Sequence, residues 1–126
     1  MKPEENKNPV EEKKFSASKQ KIAELKKHYP LLVKVSFSVL DDEDKECTHE
    51  ILFTKPSLLG VKKFSNLVAA DDVYEAARFL ILDSVVFPAK SEVERLITEY
   101  PMLVMQLNAE LQPLVQRVKE ISVKNV

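Results

Sequence analysis

Glycine occurs once in these 126 residues, cysteine once and tryptophan never. Each scarcity excludes something. Phosphate-cradling loops need several glycines where backbone approaches phosphate closely, so neither common nucleotide-binding loop can be built. A single cysteine permits no intrachain disulfide and no cysteine-based zinc site, and it suits a reducing cytosol. Charge of one sign is missing too. Nineteen Lys+Arg stand against 20 Asp+Glu, a net charge of −1, which argues against a protein that coats nucleic acid. Long apolar runs are also absent. Stretches such as Phe79-Leu80-Ile81-Leu82 and Val85-Val86-Phe87 reach at most four residues, far short of the roughly 20 residues that span a bilayer. No apolar run of signal-peptide length follows Met1. The expectation is a cytoplasmic protein with neither a nucleic acid nor a membrane as its partner.

What is there reads as one small globular domain, with 44 % hydrophobic and 31 % charged residues. Residues 1–15 are mostly Lys, Glu, Asn and Pro and read as a disordered charged tail. Residues 16–126 read as a single α+β domain with a helical C-terminal half. Ser16 or Ser18 can cap a helix running to about His28, with Ile22, Leu25 and Tyr29 as its apolar stripe. Tyr29-Pro30 ends it, because a residue before proline is pushed out of the α region.

Val33, Val35, Phe37 and Val39 then alternate with Lys34, Ser36 and Ser38, and Cys47, His49, Ile51 and Phe53 alternate with Thr48, Glu50, Leu52 and Thr54. This period of two predicts an antiparallel hairpin across the polar turn Asp41–Glu46. A lone hairpin is marginal, so its Val/Phe face must pack on helices. Ser57 caps a helix that contains Gly60. In a chain with a single glycine, that position suggests close packing against a neighbour. Asp72 and Glu75 form a capping-box-like pair ahead of a mostly apolar helix over Val73–Val86, and Phe87–Lys90 reads as a loop. Ser91-Glu92-Val93-Glu94 reads as a second capping box, for a helix through Leu96, Ile97 and Tyr100. A last helix runs from Met102 toward Val123, kinked or split at Pro113. The fold class is α+β, a small antiparallel β-hairpin packed on a majority of α-helices.

Chemistry-bearing patterns are few. Cys47 and His49 share a strand face, but the pairing more often marks a packed small hydrophobe and a buried histidine than a thiolate–imidazole pair. His28 and His49 have no neighbour at metal-ligand spacing. The run Asp41–Glu46 lacks the glycine and the ligand spacing of a calcium loop. No catalytic, cofactor or metal residue is assigned, and the expectation is a protein that is not an enzyme. The longest periodic feature lies at the C-terminal end. Leu96, Tyr100, Leu103, Leu107, Leu111, Leu114, Val118 and Ile121 follow at steps of three and four, a near-heptad stripe. It packs either on the chain's own core or on another chain. Leu103, Leu107, Leu111, Leu114 and Val118 are the candidate partner-binding residues, with Met102 and Met105 adding adaptable apolar surface.

The second strand running through Ile51-Leu52-Phe53-Thr54 into Lys55-Pro56-Ser57, followed by the Asp71-Asp72-Val73 helix and a closing Leu/Val helix, resembles the small tail assembly chaperones of long-tailed phages. The resemblance implies a non-enzymatic protein of the host cytoplasm that binds tape measure protein and keeps its long helices soluble until tail tube protein polymerises around it. Self-association into a homo-oligomer fits the same layout. A structural or adaptor subunit, viral or bacterial, acting through its C-terminal helical surface is the alternative.

Overall fold

The computed structural model describes residues 14–126, so the expected tail over 1–13 lies outside the described residues. Five helices and three strands follow one another as α1 (Lys19–His28), β1 (Val33–Leu40), β2 (Glu46–Phe53), α2 (Leu58–Ala69), α3 (Val73–Ser84), β3 (Val85–Phe87), α4 (Lys90–Glu99) and α5 (Met102–Val115). The class is α+β, as the periodicities require. β1 and β2 pair antiparallel without a register break from Val33↔Phe53 to Leu40↔Glu46. Cys47, His49, Ile51 and Phe53 are buried, while Val33, Val35, Phe37 and Val39 on the neighbouring strand are only half-buried.

Local chemistry sets most of the boundaries. Ser18 accepts from the Lys21 amide and Ser57 from the Gly60 amide, as N-caps do. Asp72 accepts from the Glu75 amide at 3.4 Å. In the hairpin turn, Asp41 Oδ1 accepts from the amides of Glu43 and Lys45 at 2.8 Å each, and Asp44 takes a left-handed φ of 62°. Turn formation therefore employs that carboxylate. Gly60 is buried where α2 crosses Asp83: a Cβ there would lie 2.1 Å from Asp83 Oδ2. The close-packing reason for this glycine holds.

Four expectations change. The tail boundary shifts, because Phe15 joins the hydrophobic core and its carbonyl accepts from the Glu50 amide. The α3 helix stops at Ser84, and Val85–Phe87 form a third strand beside β2, pairing Leu52↔Phe87 and Phe53↔Val85. The free edge of β2 draws this short apolar run out of the helix, and Thr54 N–H donates to Ser84 O at the junction. Ser91 does not cap α4. The helix begins at Lys90 with Ala89 in the cap position and no side-chain cap, because the chain enters it directly after Pro88. Finally, α5 ends at Val115 rather than near Val123. Pro113 has no N–H to give the preceding turn, and Gln116 N–H closes the helix on Gln112 O. Residues 116–126 have no regular secondary structure.

The main core lies between the inner face of the sheet and α3, α4 and α5. It gathers Ile51, Phe53, Ala77, Ile81, Val93, Ile97, Val104 and Leu107, among others. Arg78 on α3 ties α4 in place, with Nη1 on Glu75 at 3.2 Å and Nη2 on Glu94. Burial alone would lower the Arg78 pKa, but Glu94 and Glu75 outweigh it and hold the guanidinium above its ordinary value.

Candidate functional site

The five residues proposed for partner contact divide sharply. Leu103, Leu107, Leu111 and Leu114 are buried, with Leu107 at 2 % exposure, and all four belong to the core. They face this chain's own sheet and α3, so they form no outer surface. Val118 lies beyond the end of α5 and is 69 % exposed. The stripe is therefore core up to Leu114 and surface from Val118 to Ile121. Periodicity along one helix could not make that distinction, because a core face and a partner face have the same spacing.

Exposed apolar side chains also lie on the other side of α5 and at the start of α3, as they do at Leu58 and Leu59 of α2. Met102 is 74 % exposed and Met105, one turn on, is 38 % exposed; residues three apart are neighbours on a helix surface. Tyr74 Oη donates to Pro101 O at 3.2 Å, which holds the exposed Tyr74 ring beside the start of α5. Val73 next to it is exposed as well. Val73, Tyr74, Met102 and Met105 thus mark an apolar surface fixed by two rigid helices. The sequence signal for the methionines is plain, since they fall off the leucine stripe. Val73 and Tyr74 carry no such signal: by helical spacing they share the face of Ala76, Ala77, Leu80 and Ile81, and they are exposed because they stand in the first turn of α3, ahead of that packed stretch.

Cys47 and His49 line a cleft of about 400 Å³ between the turn end of the hairpin and α4. Glu92, Arg95, Leu96, Glu99 and Tyr100 form its other wall; their helical spacing was the available sign that they share a face. His49 is 3 % exposed. Its Nδ1 accepts the Phe15 amide at 3.2 Å, which leaves the proton of the neutral ring on Nε2. Phe15 and Phe37 flank the imidazole, with centroids at 4.8 and 5.7 Å. The ring thus fastens the N-terminal segment to β2. Burial raises the Tyr100 pKa above its usual 10.0, helped by Glu99, Asp41, Asp42 and Cys47. Acids outnumber the one arginine in this cleft, which disfavours an anionic ligand. Among the described residues, no group of three His, Cys, Asp or Glu side chains could hold a metal ion, and no helix is long and apolar enough to cross a membrane.

Residues 25–124 match the model of a protein family described as "Domain of unknown function (DUF6848)". The chain belongs to this family. No curated protein matches it. Among solved structures, an uncharacterised protein from Bacillus stearothermophilus is similar, with a TM-score of 0.58 and 20 % identity over 82 % of this chain and 99 % of that one. The likeness supports the fold.

Proposed function

We propose that this protein is a non-enzymatic chaperone of phage tail assembly, which binds tape measure protein and keeps its long helices soluble in the host cytoplasm. The reading rests on the resemblance around Ile51–Ser57 and on one structural observation. Exposed Tyr74, Met102 and Met105 form a pre-positioned apolar surface on helices whose other faces are already buried. Soft methionines beside an aromatic ring suit a surface that must accept many registers of a repetitive amphipathic helix. His49 fits the non-enzymatic part of the reading in one respect: its Nδ1 accepts the Phe15 main-chain amide, a structural use of the ring.

Co-expression tests it. Tape measure protein from the same genome should move from the pellet to the soluble fraction when this protein is present. Met102→Asp with Met105→Asp should abolish that gain while the melting temperature stays unchanged. Failure to solubilise or bind tape measure protein overturns the reading. Recovery of this chain as a stoichiometric component of purified particles would instead favour a structural subunit.

A further inference from the structure

We propose that a second copy of this chain pairs with the outer edge of β1, joining two three-stranded sheets into one continuous antiparallel sheet about a twofold axis at Ser36. Among the described residues, β1 pairs on one side only. The direction of its backbone groups follows from β2. The Glu50 amide donates to Phe15 O, on the side of β2 away from β1, and Leu52 likewise pairs with Phe87 of β3. Glu50 and Leu52 therefore form non-hydrogen-bonded pairs with their β1 partners, Ser36 and Lys34. By alternation, Lys34, Ser36 and Ser38 direct their N–H and C=O groups to the open edge, while Val35 and Phe37 bond to β2.

This edge lacks the protections that strand edges ordinarily carry. It has no proline, no bulge and no inward-pointing charge across eight residues. Its one lysine, Lys34, is drawn onto its own sheet by Glu50 at 3.7 Å. Ser38 and Thr48 hydroxyls bond each other at 2.8 Å, so the outward side chains are satisfied and the edge backbone is what remains.

The occupant follows from the strand's own sequence. Opposed residues of an antiparallel pair share a face, so a self-pairing must set odd against odd and even against even. Centred on Ser36, Val35 meets Phe37 and Val33 meets Val39 on the inner face, while Lys34 meets Ser38 on the outer face. Every inner pair is apolar and no like charges oppose. Shifting the centre to Phe37 would set Lys34 against Leu40, a poorer match. Self-pairing also explains the burial gradient across the sheet. The inner row of β2 is buried whereas Val33, Val35, Phe37 and Val39 are half-exposed; a second sheet alongside would cover them.

Sedimentation equilibrium on the full chain should show a concentration-dependent rise from the 14.4 kDa monomer toward twice that mass. Ser36→Pro deletes an edge-facing N–H and leaves the β1–β2 ladder intact, a placement that proline tolerates. It should weaken the dimer at least ten-fold with an unchanged circular dichroism spectrum. Ser36→Cys needs no loss of stability. Across the twofold its Cα atoms would lie about 5.5 Å apart, within disulfide range, so mild oxidation should give a reducible covalent dimer. A monomer at every concentration overturns the proposal and leaves the edge to another strand. A dimer in which Ser36→Cys does not cross-link, or that Ser36→Pro leaves unweakened, overturns it as well.

Discussion

Replacing the one glycine with alanine separates two opposing effects that the fold has placed at a single point. Gly60 lies in the first turn of α2, where alanine would ordinarily stabilise by about 0.5–1 kcal/mol through helix propensity and reduced freedom of the unfolded chain. Here its Cβ would sit 2.1 Å from Asp83 Oδ2 and 2.5 Å from Asp83 Cγ. The carboxylate cannot swing away without loss, because Oδ2 accepts the Ser57 amide at 2.9 Å and Oδ1 the Ser57 hydroxyl at 3.2 Å. A hydrogen bond to a charged group contributes about 1.5–3 kcal/mol, toward the low end for a site near solvent. The loss exceeds the propensity gain, so Gly60→Ala should destabilise by about 1–2 kcal/mol. Asp83→Ala should remove the obstacle. In that background Gly60→Ala should become stabilising by about 0.5 kcal/mol. Urea denaturation of the four proteins in this double-mutant cycle gives the coupling directly. A Gly60→Ala effect of the same sign and size in both backgrounds would refute the reasoning, since it would mean that Asp83 does not constrain the glycine.

Two further outcomes follow from burial and charge. Leu107→Ala should cost about 2–5 kcal/mol in chemical denaturation, as a core truncation does, whereas Val118→Asp should leave the midpoint within about 0.5 kcal/mol of the parent; equal effects would contradict the division of the leucine stripe. Because folding raises the Tyr100 pKa above 10.0, its contribution to stability is fully present below pH 10 and is lost as pH rises through the folded-state value. Ultraviolet titration should show one tyrosine ionising later than the others, and Asp41→Asn should bring it back toward 10; an unshifted titration of Tyr100→Phe against the parent would contradict this assignment.

The elements that can be read from the sequence are those whose determinants are local. The alternation over Val33–Val39 and Cys47–Phe53 sets the hairpin, because a strand period of two puts the whole apolar set on one face. Ser18, Ser57 and Asp72 mark helix starts because a side-chain oxygen three residues ahead of an amide can bond it whatever the rest of the fold does. Gly60 stands out through its rarity alone. The elements that escape are those that depend on distant neighbours. Three residues become a strand only because β2 has a free edge beside them: Val85 and Val86 read as the end of α3 and Phe87 as the start of a loop. Ser91 carries the right letters for a cap, yet the chain reaches the helix before it. Phe15 reads as part of a charged tail, yet His49 and Glu50 hold its backbone against β2.

The candidate site shows the same division. Spacing alone established that Leu103, Leu107, Leu111 and Leu114 share a helical face, and that nucleotide loops, disulfides and cysteine-based zinc sites are foreclosed by one glycine and one cysteine. Only the tertiary structure decided that this face is turned inward, that α5 stops at Val115, and that Tyr74 and Met102 remain outside. The physical reason is that periodicity reports a direction relative to the helix axis. What lies in that direction, water or another part of the chain, is set by contacts between residues far apart in sequence.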